Sequence, residues 1–283
     1  MMALEHFIVT RFNLKSSVWK ESLDKKKVLT PEWHQHRLGI FLKYCYPSIR
    51  NQSNQNFTWY VFFDPKISSK TRGTLQKLEQ EYPNFVPVYC KDIEHQKDEL
   101  IKQIKRKVQD KQTFIVTTRL DNDDILHKDF IQTVQDAFQL KREKAVVDII
   151  SGYQLDISTN KNLLYYASFK GNPFISLGEN LTELQTVLDR MHHDWGLDHR
   201  VITITKKRLW IQLIHGKNMS NKIPPYFFRA VNANFEDFGI EQISIEKSGA
   251  RKPFVFLKTL ISLVIYFFVR VKSKVLRIFT KLK

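Results

Sequence analysis

Thr113–Asp124, TFIVTTRLDNDD, is the stretch that decides the fold. Thr113–Thr118 (TFIVTT) is apolar and β-branched, the composition of a buried strand. It runs through Arg119 and Leu120 straight into Asp121-Asn122-Asp123-Asp124. Three carboxylates in four residues repel one another, and a fold tolerates them in an exposed loop or where a cation neutralises them. Two uses fit. Asp123 or Asp124 could cap the helix that Phe130, Ile131, Val134 and Phe138 mark downstream. Alternatively, the carboxylates supply hard oxygen ligands for Mg²⁺ or Mn²⁺, with a diphosphate completing the shell and the metal acting as a Lewis acid on that leaving group. The strand before the acids, and Arg119 beside them, favour the second use.

Upstream, the same strand-then-helix rhythm repeats. His6–Thr10 (HFIVT) reads as a first strand ending at Arg11. Thr30-Pro31-Glu32 reads as a helix start, with Thr as N-cap, Pro in the first turn and an acid near the N-terminal dipole; its apolar face carries Leu38, Phe41 and Leu42, and Pro47 marks its expected end. Phe57–Phe63 is a second buried strand closing on Asp64-Pro65. Thr71–Tyr82 reads as a helix, and Phe85–Tyr89 as a third strand that Pro87 sends to a sheet edge. Leu100, Ile101, Ile104 and Val108 mark a helix with basic outer faces. The alternation predicts an α/β fold with a mainly parallel sheet and helices on both faces. Such sheets bind ligands at the carboxyl ends of their strands, so Arg11, Asp64 and the acids after Leu120 are expected on one rim.

The second half changes character. Ala145–Gln154 and Asn162–Phe169 read as adjacent strands around a turn at Ser158-Thr159-Asn160, and Arg200–Thr205 as another. Between them lies a polar stretch with Asn172-Pro173-Phe174 and Met191-His192-His193-Asp194-Trp195. Residues 1–140 are thus expected to form a nucleotide-binding half and 141–250 an acceptor half of one domain.

With these segments in place, the chain resembles the GT-A (Rossmann-like) glycosyltransferases, whose DxD region Thr117–Asp124 matches. More narrowly it is similar to the rhamnosyltransferase family of bacterial surface-polysaccharide enzymes. The similarity rests on Phe7–Asn13 (FIVTRFN), Trp59–Asp64 with Pro65, the RLDNDD run, and His215-Gly216-Lys217-Asn218, over roughly residues 5–235. It implies a divalent-metal-dependent transferase that moves a sugar, rhamnose being one candidate, from a nucleotide-sugar donor to a glycan or lipid-linked acceptor. It places Asp123 on the metal with Asp124, and Asp121 on the ribose or sharing the metal. Asp64 would meet the base, with Arg11 near the nucleotide. Arg119 would pair with the acids or contact the sugar, and His215 would be a late metal ligand. For an inverting reaction, which needs a base at the acceptor hydroxyl, Asp194 is the first choice and His193 the second.

Of the net charge of +16, nine units come from residues 251–283, which contain no acid. There Phe254–Val269 is apolar but for Lys258. In Arg270–Lys283, Val271, Val275, Ile278, Phe279 and Leu282 share one helical face opposite Lys274, Arg277 and Lys281. Sixteen apolar residues reach roughly 24 Å as a helix, short of a comfortable bilayer span, so the tail is expected to form amphipathic helices on an anionic membrane surface, the other readings being a short true span and a helix packed on its own domain or a partner. Interleaved aliphatics argue against nucleic acid. Two distant cysteines, Cys45 and Cys90, and no signal-peptide pattern at the N-terminus lead to the expectation of a peripheral or monotopic protein at the cytoplasmic face of the cell membrane. Two rivals remain. A nucleotidylyltransferase-like enzyme would want a glycine-rich phosphate loop after the first strand, and Arg11–Ser17 (RFNLKSS) has none. The other is a non-catalytic membrane-bound carbohydrate- or metal-binding protein.

Overall fold

A computed structural model describes residues 3–16, 29–139, 142–218, 223 and 228–246. The tail from residue 251, with its expected amphipathic helices, lies outside the described residues. β1 (Leu4–Arg11) opens the chain. Thr30 then caps α1 (Pro31–Ile40), its hydroxyl accepting the Trp33 amide at 3.2 Å. The helical run ends at Arg50, three residues past Pro47. A π-helical segment, Phe41–Cys45, carries it into α2 (Tyr46–Arg50). Pro47 falls in the first turn of α2, where a missing N–H costs little.

β2 (Thr58–Phe63), α3 (Ser69–Glu81), β3 (Phe85–Tyr89), α4 (Gln96–Lys107) and β4 (Phe114–Asp121) follow in the expected alternation. After the acids come the short β5 (Ile125–Leu126) and α5 (Phe130–Asp136). The single strand expected over Ala145–Gln154 is two: β6 (Ala145–Ile149) and β7 (Ser151–Asp156), in different sheets. β8 (Leu163–Ser168), β9 (Ser176–Asn180), β10 (Val201–Ile204), β11 (Trp210–Ile214) and β12 (Arg229–Ala230) complete the strands.

The main sheet has the order β10-β6-β9-β4-β1-β2-β3. Six strands run one way and β9 runs against them, antiparallel to both β4 and β6. β3, with Pro87, is an edge strand as expected. Alternate residues feed opposite faces. Ile8, Trp59, Val61 and Phe63 pack with Phe41, Tyr46 and Ile49 of the first helical run, with Leu75 and Leu78 of α3, and with Phe130 and Val134 of α5. Phe7, Val9, Tyr60, Phe62 and Ile115 pack with Leu100 and Ile104 of α4. Helices therefore cover both faces. The buried cysteines are free thiols.

β9 lacks a strand-like sequence because its place is reserved by packing. A Cβ on Gly178 would lie 2.5 Å from the Phe138 ring and 2.8 Å from the Phe114 ring. The second sheet, β12-β8-β7-β11-β5, joins the first where the chain passes from β6 to β7. Trp210 fills that seam. Its indole N–H donates to the Ile149 carbonyl at 2.6 Å and its ring stacks on Phe174 at 4.7 Å. Gly152 lies under the ring, with room for no side chain.

Candidate active site at the carboxyl rim of the main sheet

β1, β2 and β4 end side by side. Arg11 pairs in register with Phe62 on one side and Asp121 on the other. Asn122 locks this exit: its amide donates to the carbonyls of Arg11 at 3.0 Å and Phe12 at 2.8 Å. Asp64 follows β2 directly. Its backbone N–H donates to Asn13 Oδ1 at 2.9 Å, its Oδ1 accepts the Lys66 amide at 2.8 Å, and its Oδ2 lies 3.5 Å from the ammonium of Lys15. Arg11, Asp64 and the acidic run thus share the rim, as the strand pattern predicts.

The acids do not cap a helix. A turn with the Asp124 amide on the Asp121 carbonyl (3.2 Å) leads into β5, and α5 starts only at Phe130 behind Asp129. The three carboxylates occupy different surroundings. That of Asp121 is about 30% exposed and lies 3.5 Å from the Arg119 guanidinium. Asp123 is buried, and its Oδ2 collects Arg37 Nη1 at 2.5 Å, His215 Nε2 at 3.0 Å and Asn218 Nδ2 at 3.2 Å. Burial alone would raise its pKa, but the Arg37 charge and the His215 hydrogen bond outweigh burial and hold it below the ordinary carboxylate range. Asp124 is fully buried. Its Oδ1 accepts the Leu213 amide at 2.9 Å and its Oδ2 has no hydrogen-bond partner. Burial, then the charges of Asp123 and Asp121, raise its pKa well above the ordinary value.

The sequence reading missed Arg37. From α1 it reaches Asn122 Oδ1 and His215 Nε2, each at 3.2 Å, besides Asp123, and it lies 5.3 Å over the Trp33 ring. The available signal was an arginine four residues after a tryptophan, which puts both on one helix face. Asn218 closes the HGKN run. It holds His215 in place by accepting the His215 amide at 2.8 Å and donating to the Leu213 carbonyl at 2.9 Å. His36 packs beside His215, its pKa pushed down to about 4 by burial, then by Lys217, His215 and Arg37. Arg11 is also lowered: burial leads, Asp121 opposes, and Arg119 and Arg37 add to burial. Three guanidinium groups therefore crowd round Asp121 and Asp123.

In the loop between β9 and β10, His193 and Asp194 lie 3.5 Å apart with side chains 62% and 42% exposed. The residue turned inward is His192, whose ring nitrogen Nδ1 lies 2.5 Å from the Gly171 carbonyl oxygen. Its pKa is lowered chiefly by burial, and the charges it feels include Arg119 and Asp121 of the rim.

The rim offers carboxylate oxygens and one imidazole to a divalent cation. Two buried atoms there, Asp124 Oδ2 and His215 Nδ1, have no hydrogen-bond partner. Among the described residues, no group of three or more His, Cys, Asp or Glu side chains converges on a metal position. What the rim does offer is one or two hard carboxylate oxygens, the kind of donor Mg²⁺ takes when phosphate oxygens and water complete its shell.

Solved structures similar in shape share few residues with this chain. TarS 1-349 of S. aureus is 12% identical with a TM-score of 0.44, and the alignment covers 75% of this chain and 60% of that one. The same fragment in complex with UDP gives 13% and 0.44, with 75% and 61% covered. A "putative nucleotide-diphospho-sugar transferase" from Desulfovibrio desulfuricans gives 9% and 0.41, with 77% and 84% covered. The chain thus spans about three fifths of the TarS fragment it matches. No curated protein matches the sequence significantly. The family described as "Putative rhamnosyl transferase" does match, over residues 5–226. That match spans well over half of the chain, and the protein belongs to this family of glycosyltransferases.

Proposed function

We propose that the protein transfers a sugar, with rhamnose the first candidate, from a nucleotide-sugar donor to a glycan or lipid-linked acceptor. The observation that carries this reading is the gathering of Arg11, Arg37 and Arg119 round Asp121 and Asp123 at the carboxyl rim. In this reading Asp64 meets the base, Asp121 the ribose, and Arg11 and Arg119 the phosphates and sugar. Fixed positive groups aimed where charge develops on the departing diphosphate stabilise the transition state without reorganising. Asp123, with Asp124 and His215 behind it, would hold Mg²⁺ or Mn²⁺, and the cation would supply further neutralisation of the diphosphate. Residues 141–250, including the His192–Trp195 loop, would form the acceptor side. The basic apolar tail, residues 251–283, would keep the enzyme on anionic lipid at the cytoplasmic face of the membrane, where a lipid-linked acceptor resides.

The test is a panel of nucleotide-sugars screened for thermal stabilisation with and without Mn²⁺, followed by assay of nucleoside diphosphate release. A metal-dependent rise in Tm with one donor, and turnover of that donor, are expected. A protein that binds sugars but turns over no donor would favour the non-catalytic rival instead.

A further inference from the structure

We propose that His192 is the general base that takes the acceptor's proton, in place of its neighbours His193 and Asp194. This assignment rests on the transfer reading above.

The first argument is the tautomer. A backbone carbonyl can only accept, so the 2.5 Å contact of His192 Nδ1 with the Gly171 oxygen requires the proton on Nδ1. Nε2 then carries the free lone pair, the state a base needs. The second argument is how firmly that carbonyl is held. Gly171 has φ +63, and a Cβ on it would sit 3.1 Å from the His193 Cα, so the two loops meet backbone to backbone. The Gly171 N–H donates to Asp148 Oδ2 at 2.8 Å, and Asp148 Oδ1 accepts from Asn172 Nδ2, also at 2.8 Å. Asp148 is buried at the end of β6, so the main sheet itself fixes the imidazole through Gly171. On the other side, buried Trp195 pins the loop against Ile175 and Leu177.

The third argument is position. His192 is partly buried, its ring 5.2 Å from that of His193 and within the fields of Arg119 and Asp121, whereas the side chains of His193 and Asp194 are 62% and 42% exposed. Burial keeps His192 neutral at pH 7, assisted by Arg119 and His193 and opposed by the Gly171 hydrogen bond and Asp121.

In the step assigned to it, Nε2 receives the proton of the acceptor hydroxyl. The hydroxyl oxygen bonds to the anomeric carbon. The bond from that carbon to the phosphate oxygen breaks, and its electron pair leaves with the nucleoside diphosphate. Water can replace the acceptor, so donor hydrolysis reports the same base.

The experiment uses the full chain and the nucleotide-sugar that stabilises it most among UDP-glucose, UDP-N-acetylglucosamine and dTDP-rhamnose. Donor affinity is measured by calorimetry and hydrolysis by nucleoside diphosphate release. His192→Gln is expected to lower turnover by roughly 10²–10⁴-fold, the usual worth of a positioned base, while donor Kd stays within about twofold. His193→Gln and Asp194→Asn should lose less than about threefold in turnover. The acid limb of the pH–rate profile should vanish in His192→Gln, and added imidazole should restore part of the rate to His192→Gly. A merely structural role for His192 would show neither effect. Turnover within about threefold of wild type in His192→Gln would overturn the assignment, as would a loss of about 100-fold in Asp194→Asn with donor affinity intact. Failure of the wild-type chain to bind any nucleotide-sugar would overturn the transfer reading itself, and this assignment with it.

Discussion

Replacing Arg37 by Met keeps a long, flexible side chain and removes the charge. The side chains of Arg37 and Asp123 are 6% and 5% exposed and meet at 2.5 Å. Removing one partner of a buried ion pair leaves an uncompensated charge and costs about 3–5 kcal/mol. For a domain of this size each kcal/mol moves Tm by about 2–4 °C, so Arg37→Met should melt about 6–20 °C lower at pH 7.5 in EDTA. Asp123→Asn in the same chain removes the stranded charge, so the double variant should recover about 2 kcal/mol or more, a coupling readable from a double-mutant cycle in urea. In the wild type Asp123 titrates below the ordinary range, so its contribution is full above the unfolded carboxylate value and fades as pH falls through the folded one. Without Arg37, burial dominates and raises the folded pKa above the unfolded value. The pair's absence then costs most at high pH, and the gap between variant and wild type should narrow as pH drops from 7.5 towards 5. Millimolar Mn²⁺ should raise the Tm of Arg37→Met more than that of the wild type, because a cation would take the guanidinium's place beside Asp123. A loss below about 1 kcal/mol, or no recovery in the double variant, would refute the reasoning.

Asp123→Ala should lower donor turnover by about 100-fold or more, and unchanged turnover with Mn²⁺ present would exclude a catalytic metal at this residue. Gly152→Ala would place a Cβ 2.1 Å from Trp210 Cδ2. Overpacking of this kind costs about 1–3 kcal/mol, measurable by denaturant titration, and an unchanged midpoint would mean the seam between the sheets can give. Deleting residues 253–283 should move the protein from the membrane to the soluble fraction in a sedimentation assay. Continued sedimentation with membranes would remove the tail from the anchoring role.

Much of the main sheet was legible because its strands carry their own signal. Phe57–Phe63 and Thr113–Thr118 are apolar enough to be buried wherever they fall, and the rim follows from parallel strands ending in Arg11, Asp64 and Asp121. β9 was not legible. SLGEN has one large apolar residue, and its burial is imposed by Phe114 and Phe138 closing over Gly178. The break between β6 and β7 was hidden for a related reason. Ala145–Gln154 reads as one extended run, and only Trp210 bonding to Ile149 and covering Gly152 shows where the chain changes sheets. Within the site, the acids announced themselves by sequence adjacency. Arg37 and His192 did not, because each acquires its role from partners 86 and 21 residues away, Asp123 and Gly171.

The π-helical segment Phe41–Cys45 carries a consequence for how separable the site is from its scaffold. A π turn in an α-helix amounts to one inserted residue, and one residue is a rotation of about 100°. Upstream of the insertion the helix presents Arg37 to Asp123; downstream it presents Tyr46 and Ile49 to the aromatic core. Two angular demands that a regular helix would force into one phase are met independently. Deleting a single residue from Phe41–Cys45 should therefore act as a phase shift, leaving each half of the helix able to satisfy its own partners but not both halves at once.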